Sequence, residues 1–210
     1  TNVGMGEFGG IQAGLLNIGG DVTGGQIGLL NIARSVKGTQ IGLLNIAQTS
    51  TAPIGLLNVI TQGRLNVAVW GNETSVANIA LKYGSQNVYA FAMGGLNPRG
   101  AGGKANLSYG LGLGVRLRFD KFYGELEGSF EDLHQLDGAA SWNSSVFSTG
   151  GRLNVGYQLF EKLAVFAGPQ LHTLVAINDN QSVRVLSPWG FDTSQRVRIV
   201  PGFVIGAQFL

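Results

Sequence analysis

The chain of 210 residues contains no cysteine, only two histidines and few charged residues, which make up 12% of it. Without cysteine it can form neither a disulfide framework nor a thiolate metal site. The net charge is +2, and basic and acidic residues are interspersed, so the sequence lacks the basic patch of a nucleic-acid-binding protein. We therefore expect no nucleic-acid partner.

The sequence also lacks any run of the ~18 consecutive apolar residues that a transmembrane helix requires. This excludes a helical membrane anchor. The first residues do not form the basic segment and following apolar segment that mark a signal peptide. If the protein is exported, we expect that its signal peptide has been removed.

Glycine is abundant, with 34 residues, and part of it lies in a tandem repeat. The segment Gln26-Ile27-Gly28-Leu29-Leu30-Asn31-Ile32 has close copies before and after it. Its asparagine recurs at intervals of 14, 14 and 13 residues, at Asn17, Asn31, Asn45 and Asn58. A fixed period with near-identical units indicates a repeat architecture. Because glycine and asparagine are poor helix formers, each unit is predicted to be a short strand and a turn.

Two β architectures fit the repeat segment, residues 1–63. In a β-solenoid each unit forms one coil, and equivalent residues stack ~4.8 Å apart. In a meander each unit would form one strand and extend the wall of a barrel. Near-identical units favour the solenoid, because successive meander strands run in opposite directions and meet different surroundings at their ends.

Two rows of repeat side chains are candidates for structural or binding roles. We expect the stacked asparagines to form a ladder at the turns that satisfies backbone groups in place of water, with a ligand-binding stripe as the alternative. If a thin solenoid buries Leu15, Leu29, Leu43 and Leu56, a second row stays unburied: Leu16, Leu30, Leu44 and Leu57. One of the two rows would then pack on another layer or on a partner.

From Arg64 onward the repeat gives way to longer segments of alternating polarity. In the clearest segment, residues 106–119, every second residue from Leu107 to Phe119 is apolar. This segment exceeds the ~9–11 residues that cross a bilayer as a tilted strand. Eight strand segments can be counted in residues 64–210, joined by mostly alternating short and long connections. The pattern predicts an antiparallel up-and-down β-barrel of about eight strands in contact with membrane lipid.

The two-residue turn Asp120-Lys121 joins two of these segments. Pairing across the turn brings four charged residues together on the face away from the apolar side chains: Arg116, Arg118, Glu125 and Glu127. A small barrel has its polar interior on that face. We interpret the cluster as a charge-paired plug of the lumen, because unpaired charges there would be costly to desolvate. A selectivity filter or a catalytic carboxylate pair is the alternative.

The order of motifs resembles a family of bacterial envelope proteins with tandem fourteen-residue surface repeats of Gly, Leu and Asn. Three segments after the repeats carry the resemblance: Gly71-Asn72-Glu73, Tyr109-Gly110-Leu111-Gly112 and Phe166-Ala167-Gly168-Pro169. The resemblance implies an outer-membrane-type β domain after the repeats, in the outer membrane or on the surface of a Gram-negative bacterium. The family is functionally uncharacterised, so the resemblance implies no catalytic residue.

No residues have the spacing of a catalytic or metal site. A triad of Ser148 or Ser182 with His172 and Asp179 would suit a lipid hydrolase, but neither Gly-x-Ser-x-Gly nor His-Glu-x-x-His occurs. A pore needs a wider lumen than eight strands enclose, unless the repeats extend the wall. We therefore predict a protein without enzymatic activity or cofactor.

The predicted function is a structural or assembly subunit of an outer-membrane complex. The apolar face of the repeats would bind another envelope protein. A narrow pore is the first alternative, and an outer-membrane lipid hydrolase is the second.

Overall fold

The computed structural model describes residues 1–98, 105–135, 145–176, 190–194 and 196–209. The fold is all-β, which confirms the predicted class, and the strands form two sheets of different kinds. Within the described ranges, no helix has the length and apolarity to span a membrane.

The repeats form a sheet of three parallel strands: β1 (Asn2–Ala13), β2 (Leu16–Ile27) and β3 (Leu30–Ile60). Equivalent residues of consecutive repeats lie side by side, so that Asn17 pairs with Asn31 and Gln26 with Gln40. Parallel stacking at an offset of one repeat is a solenoid-like arrangement, whereas a meander would be antiparallel. The alternative in which the repeats add strands to the barrel wall is therefore wrong.

The coils of the repeat sheet contain glycines in the left-handed region of φ. Gly10, Gly24 and Gly38 have φ of 123°, 131° and 147°, one repeat apart. A Cβ atom on Gly24 would overlap the carbonyl group of Gly10, and one on Gly38 would overlap that of Gly24. Only glycine provides both this φ and this close approach between coils.

The second sheet consists of nine antiparallel strands: β4 (Arg64–Gly71), β5 (Ala77–Gly84), β6 (Val88–Asn97), β7 (Asn106–Phe119), β8 (Phe122–Gln135), β9 (Ser145–Phe160), β10 (Leu163–Ala176), β11 (Phe191–Asp192) and β12 (Val197–Phe209). β12 pairs with both β10 and β4, which closes eight of the strands into a barrel. The short β11 pairs only with β12. The predicted barrel of eight strands is confirmed.

The chain divides into two compact units, residues 1–65 with 82–90 and residues 66–81 with 91–210. In the first unit, Tyr83 Oη donates a hydrogen bond to the backbone oxygen of Ile60 at 2.6 Å. Ser85 Oγ donates to the backbone oxygen of Thr51 at 2.9 Å. The domain boundary between residues 63 and 64 stays a prediction.

Side chains of the barrel strands alternate between an apolar outer face and a polar interior. On β7, the side chains of Leu111 and Leu117 are exposed, whereas Arg116 is 5% exposed. On β8, Glu125 is fully buried beside the exposed Leu126. Burial of charge and exposure of apolar residues are the reverse of the usual pattern in water-soluble proteins.

Candidate membrane-facing and interaction surfaces

Outward-facing aromatic side chains cluster at both ends of the long barrel strands. Those near the short turns are Phe119, Phe122, Tyr157, Phe160 and Phe209, and those near the other end are Tyr109, Phe130 and Phe147. Ring centroids lie 4.9 Å apart for Phe122 and Tyr157 and 5.4 Å apart for Phe130 and Phe147. Aromatic residues at two levels of a barrel wall are typical of the girdles at membrane interfaces.

The distance between the two aromatic levels fits a bilayer. On β7, Tyr109 and Phe119 are separated by four outward-facing aliphatic residues: Leu111, Leu113, Val115 and Leu117. Ten residues of strand extend about 33 Å. A tilt of about 40° reduces this to a height of about 25 Å, the height of the apolar band of outer-membrane barrels.

Arg116 and Glu125 lie opposite each other on β7 and β8, in a register that also pairs Phe119 with Phe122. Arg116 Nε donates to Glu125 Oε1 at 2.7 Å, and both side chains are buried. The Arg116 guanidinium also lies 5.2 Å from the centre of the Tyr123 ring. Two charged groups in the lumen are thereby neutralised.

Glu127 has its ion pair with a residue of the next strand, Arg152 on β9. Asn154 Nδ2 donates to Glu127 Oε2 at 3.0 Å, and the Arg152 guanidinium lies 4.2 Å from the Trp70 ring centre. Arg118, expected in the same buried cluster, is exposed near the short turn. The interior cluster therefore extends over β7, β8 and β9.

Sequence reasoning missed Arg152 and Asn154. Along β9 they alternate with the outward-facing Leu153 and Val155, and this alternation predicts that they face the interior. The connection between β8 and β9 is long, however, and a long connection does not fix the pairing register. Their partner on β8 was therefore not predictable.

Of the residues of the proposed serine triad, the structure describes only Ser148 and His172. Ser148 Oγ lies 3.0 Å from His172 Nδ1, and Glu131 Oε1 lies 3.9 Å from the same nitrogen. In a Ser-His-acid triad the hydroxyl and the carboxylate contact opposite ring nitrogens. Ser182 and Asp179 lie outside the described residues. The lack of enzymatic activity stays a prediction.

Over the part of the chain that the structure describes, no three His, Asp or Glu side chains lie close enough together to hold a metal ion.

A polar cluster lies on the outer wall of the barrel at the level of the second aromatic girdle. Tyr109 Oη donates to Asp132 Oδ2 at 3.2 Å and lies 3.0 Å from His134 Nε2. The rings of Tyr109 and His134 are stacked, with centroids 5.3 Å apart. Tyr109 is exposed and Asp132 half-buried, whereas His134 is 8% exposed, so Tyr109 and Asp132 form the accessible part of the cluster. A hydroxyl and a carboxylate beside an aromatic ring suit the headgroup region of a membrane.

The asparagine row forms a continuous ladder of side-chain amides. Nδ2 of Asn17 donates to Oδ1 of Asn31 at 2.8 Å, and the same bond links the remaining members: Asn2 to Asn17, Asn31 to Asn45 and Asn45 to Asn58. Nδ2 of Asn17 also donates to the backbone oxygen of Ile27, which fixes the orientation of its amide. Because Asn17, Asn31, Asn45 and Asn58 are buried, the ladder is not available as a ligand-binding stripe.

A second amide ladder, which sequence reasoning did not predict, lies in the interior of the coils. Gln26 Nε2 donates to Gln12 Oε1 at 2.8 Å, and Gln40 Nε2 donates to Gln26 Oε1 at 3.0 Å. The donors point toward the first coil, opposite to those of the asparagine ladder. The fourth repeat has Pro53 at this position, and Gln40 Oε1 has no hydrogen-bond partner among the described residues. The three glutamines occupy the same position in consecutive repeats, and this recurrence could have predicted the ladder.

The two leucine rows of the repeats differ in exposure. Leu15, Leu29 and Leu43, expected to point inward, are 72%, 58% and 56% exposed. Of the second row, Leu16, Leu30 and Leu44 are half-buried and Leu57 is exposed. The more exposed row is thus the one that contains Leu15, Leu29 and Leu43, and a role of either row in binding stays a prediction.

The exposed leucines and two isoleucines line a shallow groove of about 480 Å³, called here the repeat face: Leu15, Ile27, Leu29, Ile41 and Leu43. Within the described part of the chain, no charged residue lines this groove. Elsewhere on the coils, Arg34 Nε donates to Asp21 Oδ1 at 2.8 Å. This hydrogen bond from Arg34 lowers the pKa of Asp21 below its ordinary value. The repeat segment therefore combines an uncharged apolar surface with a separate ion pair.

Neither a protein-family model nor a curated protein sequence matches the chain. Among solved structures, the chain is similar to the crystal structure of Neisserial surface protein A (NspA), with a TM-score of 0.40 and 13% identity over 70% of this chain and 94% of that chain. The resemblance to the repeat-bearing envelope family stays an expectation. Function is therefore inferred from the surfaces of this chain.

Proposed function

We propose that this protein is an integral β-barrel of the bacterial outer membrane. The observation that carries the proposal is the inverted barrel, in which buried charges such as Glu125 and Glu127 face a closed lumen and leucines face outward. A closed barrel leaves no strand edge unpaired in hydrocarbon, and a polar interior with an apolar wall is the arrangement of outer-membrane barrels.

Within that membrane the protein acts as a structural or assembly subunit that binds another envelope protein through the repeat face. Leu15, Leu29 and Leu43 are exposed, and no charged side chain interrupts them. Contiguous exposed apolar surface favours association. The buried ladders of Asn17 and Gln26 link the coils and keep this surface rigid, which reduces the entropy lost on binding.

Membrane integration is tested by alkaline carbonate extraction of washed bacterial envelopes, followed by gel migration before and after heating. We expect the protein to stay in the membrane fraction and to shift its migration on heating, because a closed barrel resists unfolding by detergent. Release into the soluble fraction would show that the apolar wall does not face lipid.

The partner role is tested with the triple variant Leu15→Ser, Leu29→Ser and Leu43→Ser. We expect proteins that co-purify with the wild type to be lost, while the heat-dependent migration of the barrel is kept. The control is the pair Val3→Ser and Met5→Ser, which alters side chains of similar exposure outside the repeat face. Equal co-purification with the triple variant and the control would exclude the repeat face as the binding surface.

A further inference from the structure

A groove of about 820 Å³ crosses the outer wall of the barrel over β12, β4, β5, β6 and β7. Its sides are outward-facing aliphatic side chains: Val69, Ile79, Leu96, Leu107 and Ile205. Among the residues that the structure describes, none that lines the groove is charged. The volume lies in the range of ligand pockets, whereas the wall of a barrel offers lipid an otherwise continuous surface.

Glycines give the groove its depth. Gly95 and Gly206 line it, and interior packing requires both, because a Cβ atom on Gly95 would overlap Asn78 Oδ1 and one on Gly206 would lie 2.6 Å from Trp70 Cβ. Gly94 differs from them. A Cβ atom there would meet only the backbone oxygen of Ser108, at 3.7 Å, so a side chain at Gly94 would enter the groove without displacing the fold.

Short strands add to the depression. β4 and β5 have eight residues each, whereas β12 has thirteen. β4 pairs with β12 only from Ile205 to Phe209. The wall is therefore lower on the β4 and β5 side of the groove than on its other sides.

One end of the groove adjoins the polar cluster of the outer wall. Leu107, which lines the groove, pairs across the strands with His134, and Tyr109 pairs with Asp132. An apolar channel thus leads to hydrogen-bonding side chains at the level of the second aromatic girdle. This order of apolar and polar surface matches a lipid, in which an acyl chain leads to a headgroup.

We propose that the groove holds one acyl chain of a membrane lipid, whose headgroup lies beside Tyr109 and Asp132. The inference rests on the proposed location of the barrel in a bilayer. Five strands at a spacing of ~4.8 Å give the groove a length of about 19 Å. One leaflet of a bilayer contributes about 15 Å of hydrocarbon, half of the ~30 Å core. Because the groove runs across strands that tilt by about 40°, its length corresponds to a height of about 12 Å along the membrane normal. An acyl chain in the groove therefore stays within one leaflet.

The test compares Gly94→Leu, which fills the groove, with Gly124→Leu on β8, where a Cβ atom would meet nothing within 4 Å. Each protein is purified from membranes in mild detergent and washed, and its retained phospholipid is counted by native mass spectrometry. We expect about one lipid per chain for the wild type and for Gly124→Leu, and at least a fivefold loss for Gly94→Leu. Equal retention by all three, or no lipid on the wild type, would overturn the proposal.

A second pair of variants covers the case in which Gly94→Leu does not fold. Ile79→Ser removes part of the groove wall, and Leu126→Ser removes an outward leucine of β8 outside the groove. Loss of lipid from Ile79→Ser but not from Leu126→Ser supports lipid binding in the groove, and equal retention by the two variants contradicts it. A barrel that is integral and heat-modifiable but holds no lipid at the groove refutes this inference alone, whereas a carbonate-soluble protein refutes the membrane location itself.

Discussion

Arg116 and Glu125 form an ion pair inside the barrel, with Nε and Oε1 2.7 Å apart and neither side chain more than 5% exposed. The two opposite charges neutralise each other inside the barrel, whose lumen is filled by polar side chains. Taking one member away therefore has a different effect from replacing both.

We predict that Arg116→Met destabilises the barrel by about 3–5 kcal/mol, because it removes the guanidinium that neutralises the buried Glu125 carboxylate. The double variant Arg116→Met, Glu125→Leu should recover most of this loss, since an apolar pair carries no desolvation cost. Urea titration of the barrel in detergent, read by heat-dependent gel migration, measures both. A double variant no more stable than Arg116→Met would contradict the prediction.

Replacing Gly24 with alanine should disrupt the repeat segment. Gly24 has φ of 131°, and its Cβ atom would overlap the carbonyl group of Gly10, so we expect a cost of at least about 2 kcal/mol. Gly9→Ala is the matched control, because a Cβ atom there would meet nothing within 4 Å. Hydrogen exchange of the repeat amides in the full chain should show faster exchange for Gly24→Ala only. Similar exchange in the two variants would argue against close stacking of the coils.

The asparagine ladder predicts a position-dependent cost. Asn31→Ala removes the buried hydrogen bond to Asn45 Oδ1 and the partly buried one to the backbone oxygen of Ile41, and should cost about 1–3 kcal/mol. Asn2→Ala, at the more exposed end of the ladder, should cost less because water can replace the lost bonds. Protease resistance of the repeat segment at increasing urea compares the two. Equal sensitivity would mean that the ladder does not stabilise the interior.

The pair Asp21 and Arg34 predicts a small, pH-dependent contribution to stability. Because the hydrogen bond from Arg34 lowers the pKa of Asp21, the contribution is present above the ordinary pKa of about 3.9 and is lost as the pH falls through the lowered pKa of the folded state. Asp21→Asn should thus lower stability slightly at neutral pH and low salt. The difference should vanish in acid or at high salt; a difference that persists in acid would assign it to another cause.

The barrel was predictable because alternation and short turns are local signals. The two-residue turn Asp120-Lys121 sets the register between β7 and β8, which is sufficient to place Arg116 opposite Glu125. No such turn joins β8 to β9, so the contact of Glu127 with Arg152 depends on tertiary packing that the sequence does not encode locally.

Which leucine row of the repeats is exposed could not be predicted, for a related reason. In each unit the two leucines are adjacent, and alternation places one of them inward without saying which. The choice follows from contacts between coils: buried Asn31 and Gln26 lie in the interior together with Val22 and Val36, and Leu29 points away from them. Only the stacked arrangement reveals this.

Because of the two amide ladders, the repeat segment can change its length by whole coils. Within each ladder, neighbouring amides bond to their equivalents in the next coil. A whole coil of 14 residues can therefore be added or removed between β1 and β3 with the same bonds re-formed. Pro53 has no side-chain amide, so the glutamine ladder ends at Gln40. The extent of the apolar surface can thus evolve in discrete steps, by duplication or loss of a repeat, without any change to the barrel.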